Sequence, residues 1–406
     1  MIPSQVKHRF FTPGVIVLIG IALNGLVFLA IRFIWGIGAV TNLDNNTPWG
    51  LWIGVDVAAG VALAAGGFTS AALGHVIHRE HYQAIVRPAL LTAMLGYTFV
   101  AFAVFADIGS FYYIWHPLIM WNGNSALFEV GICVMIYVSV LYIEFLPIVT
   151  ERFIGRVNLP LFFKILNKPV DKLLRILSTG LSKTMFIFII AGVVLSTLHQ
   201  SSLGTLMVIA GSKMHPLWQT PILPLLFLLS AISVGFPMII FESLIASRSF
   251  KIKPEIDILS RLGKMAAPII GVYLAFKIGD IFVRESFKYI VLFDTPSWMF
   301  ITEIAIMTRA FFMFLSKKTE NSPSRLFIAS SLVIAAVLLN RINNFIISYN
   351  PFYNPNIYYP SFGEISVTIG CIALLVLVYR FIVINFPVIS QEKSEVLSFT
   401  NTGGDK

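Results

Sequence analysis

The chain of 406 residues is 57% hydrophobic and 12% charged, and its formal net charge is +9. An ordinary soluble domain carries about twice that share of charged residues, so the composition excludes a soluble globular protein and indicates a polytopic membrane protein. The basic excess does not indicate nucleic-acid binding, because the positions of the cations follow a membrane topology.

Ten apolar segments predict an all-α fold with about ten transmembrane helices. In chain order they are 14–37, 49–77, 86–109, 124–150, 183–209, 222–247, 264–285, 295–316, 325–348 and 361–386. The second segment is predicted to be one continuous helix. The stretch 151–182, between the fourth and fifth segments, is predicted to be a basic loop.

The distribution of the 29 Lys and Arg residues predicts the orientation of the chain. Most of them lie in or beside the loops and tails on the side of the N-terminus. The others lie in loops on the opposite side or within spans, and they are Lys213, Arg284, Lys288, Arg32, Lys277, Arg309 and Arg341. By the positive-inside rule, both termini are expected to be cytoplasmic.

All seven tryptophans lie at the predicted outer ends of spans or in outer loops. Aromatic belts normally occur at both membrane interfaces. A belt on one side only indicates that a protein partner or an amphiphile binds at the outer side.

Asp56 lies in the second span, about 10 Å inside the boundary marked by Trp49 and Trp52, since a helix rises about 1.5 Å per residue. An ionisable side chain at that depth is costly unless it faces protein or water, and it is therefore a functional candidate. The alternative is a carboxylate that makes a structural hydrogen bond to a neighbouring helix.

Three histidines, His75, His78 and His81, follow at the inner end of this span. Their spacing is similar to that of metal ligands. They border an inner loop with Arg79 and Arg87, however, which favours a cluster exposed to water or lipid head groups. No metal site is predicted.

Acidic residues lie near the ends of the next spans. Asp107 ends the third span on the outer side, and the fourth span carries Glu129 near its outer end and Glu144 towards its inner end. Glu242 lies at the inner end of the sixth span. The chain therefore places carboxyl groups at both sides of an apolar middle layer.

The fifth span contains a polar run that includes His199, Gln200 and Ser201. Consecutive residues point in different directions around a helix, so some of these side chains must face other helices or a cavity. This run is the most polar stretch inside any of the predicted spans of the first half of the chain.

Charged residues in the later spans occur as pairs that are close in sequence. Lys277 and Asp280 are three residues apart, and Glu303 and Arg309 are six apart. Each pair is predicted to be neutralised locally, which favours a structural role over a transport role.

Several of these polar residues lie at a similar depth in the membrane and suggest one binding site. They are Asp56, Asp107, Glu129, His199, Gln200, Lys213 and His215, which fall in the outer third of the membrane or in outer loops close to the tryptophans. A pocket of acids, imidazole and aromatic rings suits a quinone, whose carbonyls need hydrogen-bond donors and whose reduction takes up two protons. We expect His199 to donate to a carbonyl and Asp56 to exchange a proton. The alternative for His199 is a satisfied core histidine.

The sequence argues against a resident haem or iron–sulfur cluster. The two cysteines, Cys133 and Cys371, both lie within spans, which excludes a cysteine-ligated cluster in this chain. Haem b is the competing cofactor, but it needs two histidines at matched depth on facing helices, and the predicted spans do not supply such a pair. The candidates for a proton path are Glu144, Glu242, Asp280, Glu303 and Arg309.

Several short motifs together resemble one protein family. They are PWGLWI at 48–53 followed by Asp56, VRPALL at 86–91, NSALFE at 124–129, LHQSSLG at 198–204 and HPLWQ at 215–219. This combination resembles the HybB branch of the NrfD/PsrC-like membrane subunits. The similarity is densest over residues 36–242 and continues more weakly to the last span.

The resemblance implies a cofactor-free, quinone-reactive subunit of a respiratory complex in the cytoplasmic membrane of a prokaryote. It implies two four-helix bundles with a flanking helix on each side, here divided as 1–37, 38–210, 211–348 and 349–406. A ferredoxin-like iron–sulfur subunit on the outer face is expected to exchange electrons with menaquinone near Asp56 and His199. Further partners implied are a nickel–iron hydrogenase or a multihaem cytochrome c of sulfur metabolism, other membrane subunits, and membrane lipids.

Two other function classes stay open on the sequence. A secondary transporter would suit about ten spans with buried charges, although no internal repeat or pair of broken helices is visible. A purely structural membrane anchor would bind no quinone.

Overall fold

The computed structural model describes residues 2–6, 8–47, 50–71, 83–351 and 358–391. Its α-helices are α1 (Pro13–Trp35), α2 (Ala58–Leu63), α3 (Gly66–Ala71), α4 (Gln83–Asp107), α5 (Ala126–Phe153), α6 (Asn167–Ala210), α7 (Leu223–Phe250), α8 (Ile256–Val283), α9 (Thr295–Leu315), α10 (Lys317–Glu320), α11 (Pro323–Ile342) and α12 (Phe362–Asn385). Two segments are π-helical, Trp52–Val57 and Asn343–Ile347, and the strands are β1 (Ile2–Ser4) and β2 (Ile389–Gln391). Short 3₁₀-helices are Ile37–Ala39, Phe111–Tyr113, His116–Leu118, Leu161–Leu166, Gly211–Lys213 and Ser286–Leu292.

Nine helices within these ranges are long and apolar enough to cross a membrane. They correspond to nine of the ten predicted segments, and the second segment forms the shorter apolar helices. The predicted all-α, polytopic membrane fold is therefore confirmed.

The prediction of one continuous helix for the second segment is wrong. Its described part is π-helical over Trp52–Val57, continues as α2, turns at residues 64–65 and resumes as α3. Two glycines, Gly66 and Gly67, directly follow the turn. Glycine loses more backbone entropy in a helix than any other residue.

Side chains of other helices bind the carbonyl groups at this break. The amide of Ala65 donates to the Ala62 carbonyl, so the Val61 carbonyl does not receive the amide that it would bind in a regular α-helix. Gln200 Nε2 donates to this Val61 oxygen at 2.9 Å. Arg341 Nε donates to the Ala58 oxygen at 3.3 Å. An irregular backbone is tolerated at membrane depth only when protein groups satisfy it in this way.

Helix α6 is longer than predicted, because it begins at Asn167 rather than near residue 183. The predicted loop 151–182 is therefore partly helical. The first turns of α6 carry Lys168, Lys172 and Arg175, which lower the hydropathy without opposing helix formation. A search for apolar segments detects only the part of a helix that is apolar.

The helices pack in two sets that α7 joins. Helices α3, α4, α5 and α6 contact one another in chain order, and α7, α8, α9 and α11 contact one another. Helix α7 also contacts α2, α3 and α6. The break in the second segment therefore lies between the two sets.

The first and last helices pack against each other. Helix α1 runs along α12, and β1 pairs with β2 in an antiparallel ladder in which Pro3 lies opposite Ser390. At the helix crossing a Cβ atom added to Gly25 would lie 2.7 Å from the Gly370 Cα atom. Glycines at this crossing let the two backbones approach closely.

We expect Gly25→Leu to separate α1 from α12, because the side chain would meet backbone atoms that have no room to move. The expected cost is about 1–3 kcal/mol, as for other overpacked sites. Thermal unfolding of the purified protein in detergent would measure it. Gly20→Leu on the same helix is the control, since a Cβ atom there meets nothing within 4 Å. Equal melting temperatures for the two variants would contradict the expected effect.

Most of the described tryptophans are exposed at one end of the helices. They are Trp35, Trp115, Trp121 and Trp298, whereas Trp52 and Trp218 are buried. We call this the tryptophan end; it contains residues 36–47, 108–125, 211–222 and 284–294. The opposite end contains β1 and β2, and we call it the terminus end.

Candidate functional site

Helix α6 places two fully buried polar side chains, His199 and Gln200, in the core. Within the described ranges, neither ring nitrogen of His199 has a hydrogen-bond partner, and neither does Gln200 Oε1. Buried polar atoms are rarely left without partners, and such exceptions often mark a missing ligand or water. Protein groups in the described part of the chain therefore do not satisfy the imidazole of His199.

Aromatic side chains of α4 and α5 adjoin His199. Its ring centroid lies 5.7 Å from that of Tyr97, and the rings of Tyr97 and Tyr137 pack edge to face at 4.4 Å. The Tyr97 hydroxyl lies 3.4 Å from Ser196 Oγ. These contacts build an apolar wall with hydroxyl groups beside the imidazole.

Asp56 lies on the π-helical segment Trp52–Val57 and is half-buried. Its Oδ2 atom accepts a hydrogen bond of 3.1 Å from Thr368 Oγ1 of α12. The carboxyl groups of Asp107 and Glu364 are close enough to Asp56 to interact with it electrostatically. Two of the three predicted outer acids, Asp56 and Asp107, are thus neighbours.

Arg32 of α1 is a buried cation beside these acids that the sequence did not assign to the site. Its Nε and Nη2 atoms donate to the backbone oxygens of Ala106 and Ile108, at the C-terminal end of α4. A cation at a helix C-terminus binds free carbonyl groups and is favoured by the helix dipole. The signal in the sequence was an arginine inside an otherwise apolar first span.

Glu364 is the other residue that the sequence reading missed, and its role is structural. Its carboxylate accepts from the Ser361 amide at 2.9 Å, from the Asn42 amide at 3.1 Å and from the Tyr358 hydroxyl. Ser361 and Glu364 form a capping box at the start of α12. The spacing of serine and glutamate three residues apart was the available signal.

The remaining predicted site residues of the first half have different surroundings. Trp52 is buried and its Nε1 donates to the Glu364 backbone oxygen at 3.4 Å. Glu129 is exposed and accepts from Ser202 Oγ at 2.5 Å, while Ser201 Oγ donates to the Thr197 oxygen of its own helix. Trp49 lies outside the described residues, as do His75, His78 and His81.

These contacts arrange the predicted residues into two groups. Asp56, Asp107 and Trp52 lie beside α1 and α12, whereas His199 and Gln200 lie between α2, α4 and α6. Both groups border the broken second segment, which carries Asp56 and whose α2 part contacts Gln200.

A second buried polar network lies between α8, α9 and α11, and it shows that the predicted local ion pairs are wrong. Lys277 pairs with Glu303 rather than with Asp280, and Asp280 pairs with Arg284 at 2.7 Å. Arg309 is exposed rather than paired with Glu303. Lys277 thus pairs with a residue of a neighbouring helix, whereas Asp280 pairs with a residue four positions along the chain, and sequence spacing alone does not show which pairs form.

The carboxylate of Glu303 has further partners in this network. Asn343 Nδ2 donates to it at 2.7 Å, Asn340 Nδ2 at 2.9 Å and Trp218 Nε1 at 3.5 Å. Several donors around one buried carboxylate, together with a lysine, satisfy an ion pair that would otherwise be costly to bury.

Arg341 connects this network to the broken segment. It is fully buried, lies with its guanidinium carbon 3.8 Å from the Phe227 ring centroid, and donates to Asn340 Oδ1 at 2.7 Å and to Ser230 Oγ at 2.9 Å. It also donates to the Phe227 backbone oxygen at 3.2 Å and to the Ala58 carbonyl described above. The second half of the chain therefore fixes the backbone that follows Asp56.

The two π-helical segments also contact each other. A Cβ atom added to Gly54 would lie 3.0 Å from Phe345 Cβ, so Gly54 allows Trp52–Val57 and Asn343–Ile347 to pack closely. π-Helical turns are rare and frequently occur at functional sites. Here one of them carries Asp56.

The acids predicted near the inner ends of spans lie apart from these groups. Glu144 is half-buried against α6, where a Cβ atom added to Gly192 would lie 2.7 Å from Glu144 Oε1. Glu242 is half-buried near the terminus end, between α4, α7 and α12.

The loop after α6 is fixed at the tryptophan end. The amide of His215 donates to the Ser348 oxygen at 2.7 Å, and its ring packs against those of Trp218 and Tyr289. Burial lowers the pKa of His215, while the charge of Asp294 acts in the opposite direction. This imidazole is therefore favoured in its neutral form near pH 7.

A family model described as polysulphide reductase, NrfD matches residues 39–351. The chain belongs to the NrfD family. A protein of Nitratidesulfovibrio vulgaris is 34% identical over 96% of this chain and 97% of its own length. The probable Ni/Fe-hydrogenase 2 b-type cytochrome subunit of Escherichia coli is 28% identical over 96% of each chain. The menaquinone reductase integral membrane subunit of N. vulgaris is 25% identical over 90% of this chain and 92% of that protein.

Membership of the NrfD family confirms the resemblance that the sequence motifs indicated. With the nine long apolar helices it makes the chain a multi-pass integral membrane protein. Two of these relatives are named as subunits of redox enzymes, one of a Ni/Fe-hydrogenase and one of a menaquinone reductase.

The name of the E. coli relative contains the term b-type cytochrome, which implies a haem-binding site in that protein. Among the described histidines, only His199 lies within a long helix, while His8, His116 and His215 lie in the N-terminal segment, a 3₁₀-helix and a loop. A haem held between helices by two histidines does not fit this part of the chain.

Proposed function

We propose that this NrfD-family chain is the cofactor-free, quinone-reactive membrane subunit of a respiratory redox complex. In this proposal, it exchanges electrons between membrane menaquinone and an iron–sulfur subunit at the tryptophan end, which faces away from the cytoplasm. Residues 38–210 form the quinone-binding bundle, 211–348 the second bundle, and the flanking segments contain α1 and α12.

The observation that carries the proposal is the set of buried polar atoms without protein partners on His199 and Gln200. An imidazole N–H is a donor for a quinone carbonyl, and the amide oxygen of Gln200 is an acceptor for a quinol hydroxyl. Tyr97 supplies an aromatic face for the ring. The naming of a relative as a menaquinone reductase subunit supports menaquinone as the substrate.

The proposed chemistry needs few groups from this chain. Reduction of a quinone to a quinol takes two electrons from the iron–sulfur partner and two protons, and oxidation returns both. His199 orients the ring through one carbonyl, and Asp56 exchanges a proton with the tryptophan end. Asp107 and Trp52, which lie in the same group as Asp56, are proposed to support its proton exchange, and Glu129 and Ser201 are proposed to lie near the quinone.

The proposed partner site is the aromatic surface of the tryptophan end. Tyr112, Tyr113, Trp115 and Trp121 are exposed there, in the loop between α4 and α5. Aromatic residues are enriched at protein interfaces. A hydrogenase or a multihaem cytochrome c is the proposed further partner, and the printed name of the E. coli relative favours the hydrogenase.

Proton translocation is proposed as an additional property. Its candidate groups are Glu144, Glu242, Asp280, Glu303 and Arg309, of which Arg309 is exposed and Glu303 is bound by the network around Lys277. Carboxyl groups inside membrane proteins frequently form proton relays.

The test is to purify the tagged chain from native membranes, identify its subunits and add menaquinol. We expect iron–sulfur subunits to co-purify and their clusters to change redox state on quinol addition. In the assembled His199→Ala complex this response should be lost, while Leu198→Ala, an exposed position on the same helix, should retain it. A chain that purifies alone and moves a solute into vesicles would instead be a transporter.

A further inference from the structure

A cavity of about 310 Å³ lies at the terminus end between α1, α7 and α12. Most of its wall is apolar and comes from Val15, Leu18, Met238, Phe241, Leu375 and Val376. Ile245 and Val376 line the cavity and are also exposed on the outer surface of the helices. The cavity therefore opens towards the hydrocarbon of the bilayer, and its volume is that of a small-molecule site.

Three residues with polar side chains line the inner wall of this cavity. They are Glu242, Thr92 and Tyr379, and the hydroxyls of the latter two adjoin the carboxyl of Glu242. Within the described part of the chain, Glu242 Oε1, Thr92 Oγ1 and Tyr379 Oη are buried and have no hydrogen-bond partner of acceptable geometry. The wall thus offers the half-buried side chain of Glu242 to a polar head group, with two hydroxyl groups beside its carboxyl.

A smaller cavity of about 60 Å³ lies behind these groups, on the side of the terminus end. Glu242 and Tyr379 line both cavities. Ser243, Ser247 and Lys253 make the smaller one polar. This volume holds a few water molecules, since one water needs about 10–15 Å³ by this measure.

The charge of the larger cavity argues against a phospholipid head group. Among the described residues lining it, the one cation is Arg380. Its guanidinium already donates to the backbone oxygens of Phe10 and Arg9, to Ser249 Oγ and to His8 Nδ1. Few of its N–H groups are therefore left to bind a phosphate, which the carboxylate of Glu242 would also repel.

We propose that this cavity is a second quinone site, which binds the ring of an isoprenoid quinol with one hydroxyl donating to Glu242. Tyr379 and Thr92 orient the ring, the prenyl tail leaves between Ile245 and Val376, and water in the smaller cavity reaches the same carboxyl. The site lies at the opposite end of the helices from the site of the proposed function. This inference rests on the proposed function in one respect, because that function is the reason for choosing a quinol as the bound amphiphile.

The test is photolabelling of the purified complex in nanodiscs with a menaquinone analogue that carries an azido group on its ring. We expect labelled peptides from α7 or α12 near Glu242, and excess menaquinol should prevent this labelling. Tyr379→Phe and Glu242→Leu should each require about tenfold more menaquinol for the same protection, as expected for one lost hydrogen bond to the head group.

A tryptophan scan of α1 gives a second, steric measurement. Leu18→Trp fills the cavity and should abolish the labelling near Glu242, whereas Ile16→Trp, at an exposed position of the same helix, should preserve it. Equal labelling in these two variants, or a phospholipid recovered from this segment in place of quinone, would overturn the proposal.

The two quinone proposals fail in different ways. If the azido analogue labels residues near Glu242 but none near His199, the proposed function is contradicted and the second site is supported. Labelling near His199 alone would remove the second site.

Discussion

Asp56→Asn is expected to reduce quinol-linked turnover of the assembled complex by about 10²–10⁴-fold, the usual contribution of a positioned proton-transfer group. Asparagine keeps the size of the side chain and its ability to accept the Thr368 hydrogen bond, but it does not exchange a proton. The backbone around residue 56 should stay intact, because Arg341 and Gln200 hold the carbonyls of Ala58 and Val61. The measurement is steady-state quinol oxidation or quinone reduction by the purified complex.

The matched control for this variant is Asp257→Asn, an exposed carboxylate in the first turn of α8. It should retain turnover and subunit content. If Asp56→Asn assembled normally and turned over at the rate of the control, Asp56 would have only the structural role of accepting from Thr368.

Glu303→Ala is expected to lower the free energy of unfolding by about 3–5 kcal/mol, because it leaves Lys277 buried without its counter-ion. The amides of Asn340 and Asn343 would lose their acceptor as well. Thermal unfolding of the chain in nanodiscs, followed by tryptophan fluorescence, measures this loss directly through Trp218, which contacts Glu303.

Two comparisons separate this explanation from general damage to α9. Arg309→Ala on the same helix removes an exposed cation and should leave the melting temperature nearly unchanged. Lys277→Met combined with Glu303→Leu should recover much of the loss, since apolar residues of similar volume can replace a buried pair. A double variant no more stable than Glu303→Ala would contradict the ion-pair explanation.

The positions of the long helices were predictable because long apolar segments must be helical in a bilayer. The break at Ala64–Ala65 was not, because alanine is a good helix former and the partners that stabilise the break, Gln200 and Arg341, lie far away in sequence. The start of α6 at Asn167 was missed because its first turns are charged.

The residue types of the candidate site were predictable, but their neighbours were not. His199 and Gln200 were recognised because polar residues are rare within spans, and both are fully buried. The partner of Lys277 was predicted from sequence distance as Asp280, whereas the fold places Glu303 beside it. Likewise, Arg32 of α1 and Glu364 of α12 lie near Asp56 only because these two helices pack on α4.

The contact between α1 and α12 has a consequence for biogenesis. Helix α1 leaves the ribosome long before its main partner α12, so its glycine-containing face is exposed to lipid until α12 is inserted. Membrane insertion and final assembly are therefore separate stages for this helix. A circular permutant that links Gln391 to Ile2 and opens a loop elsewhere would make the two helices neighbours during synthesis and should assemble sooner.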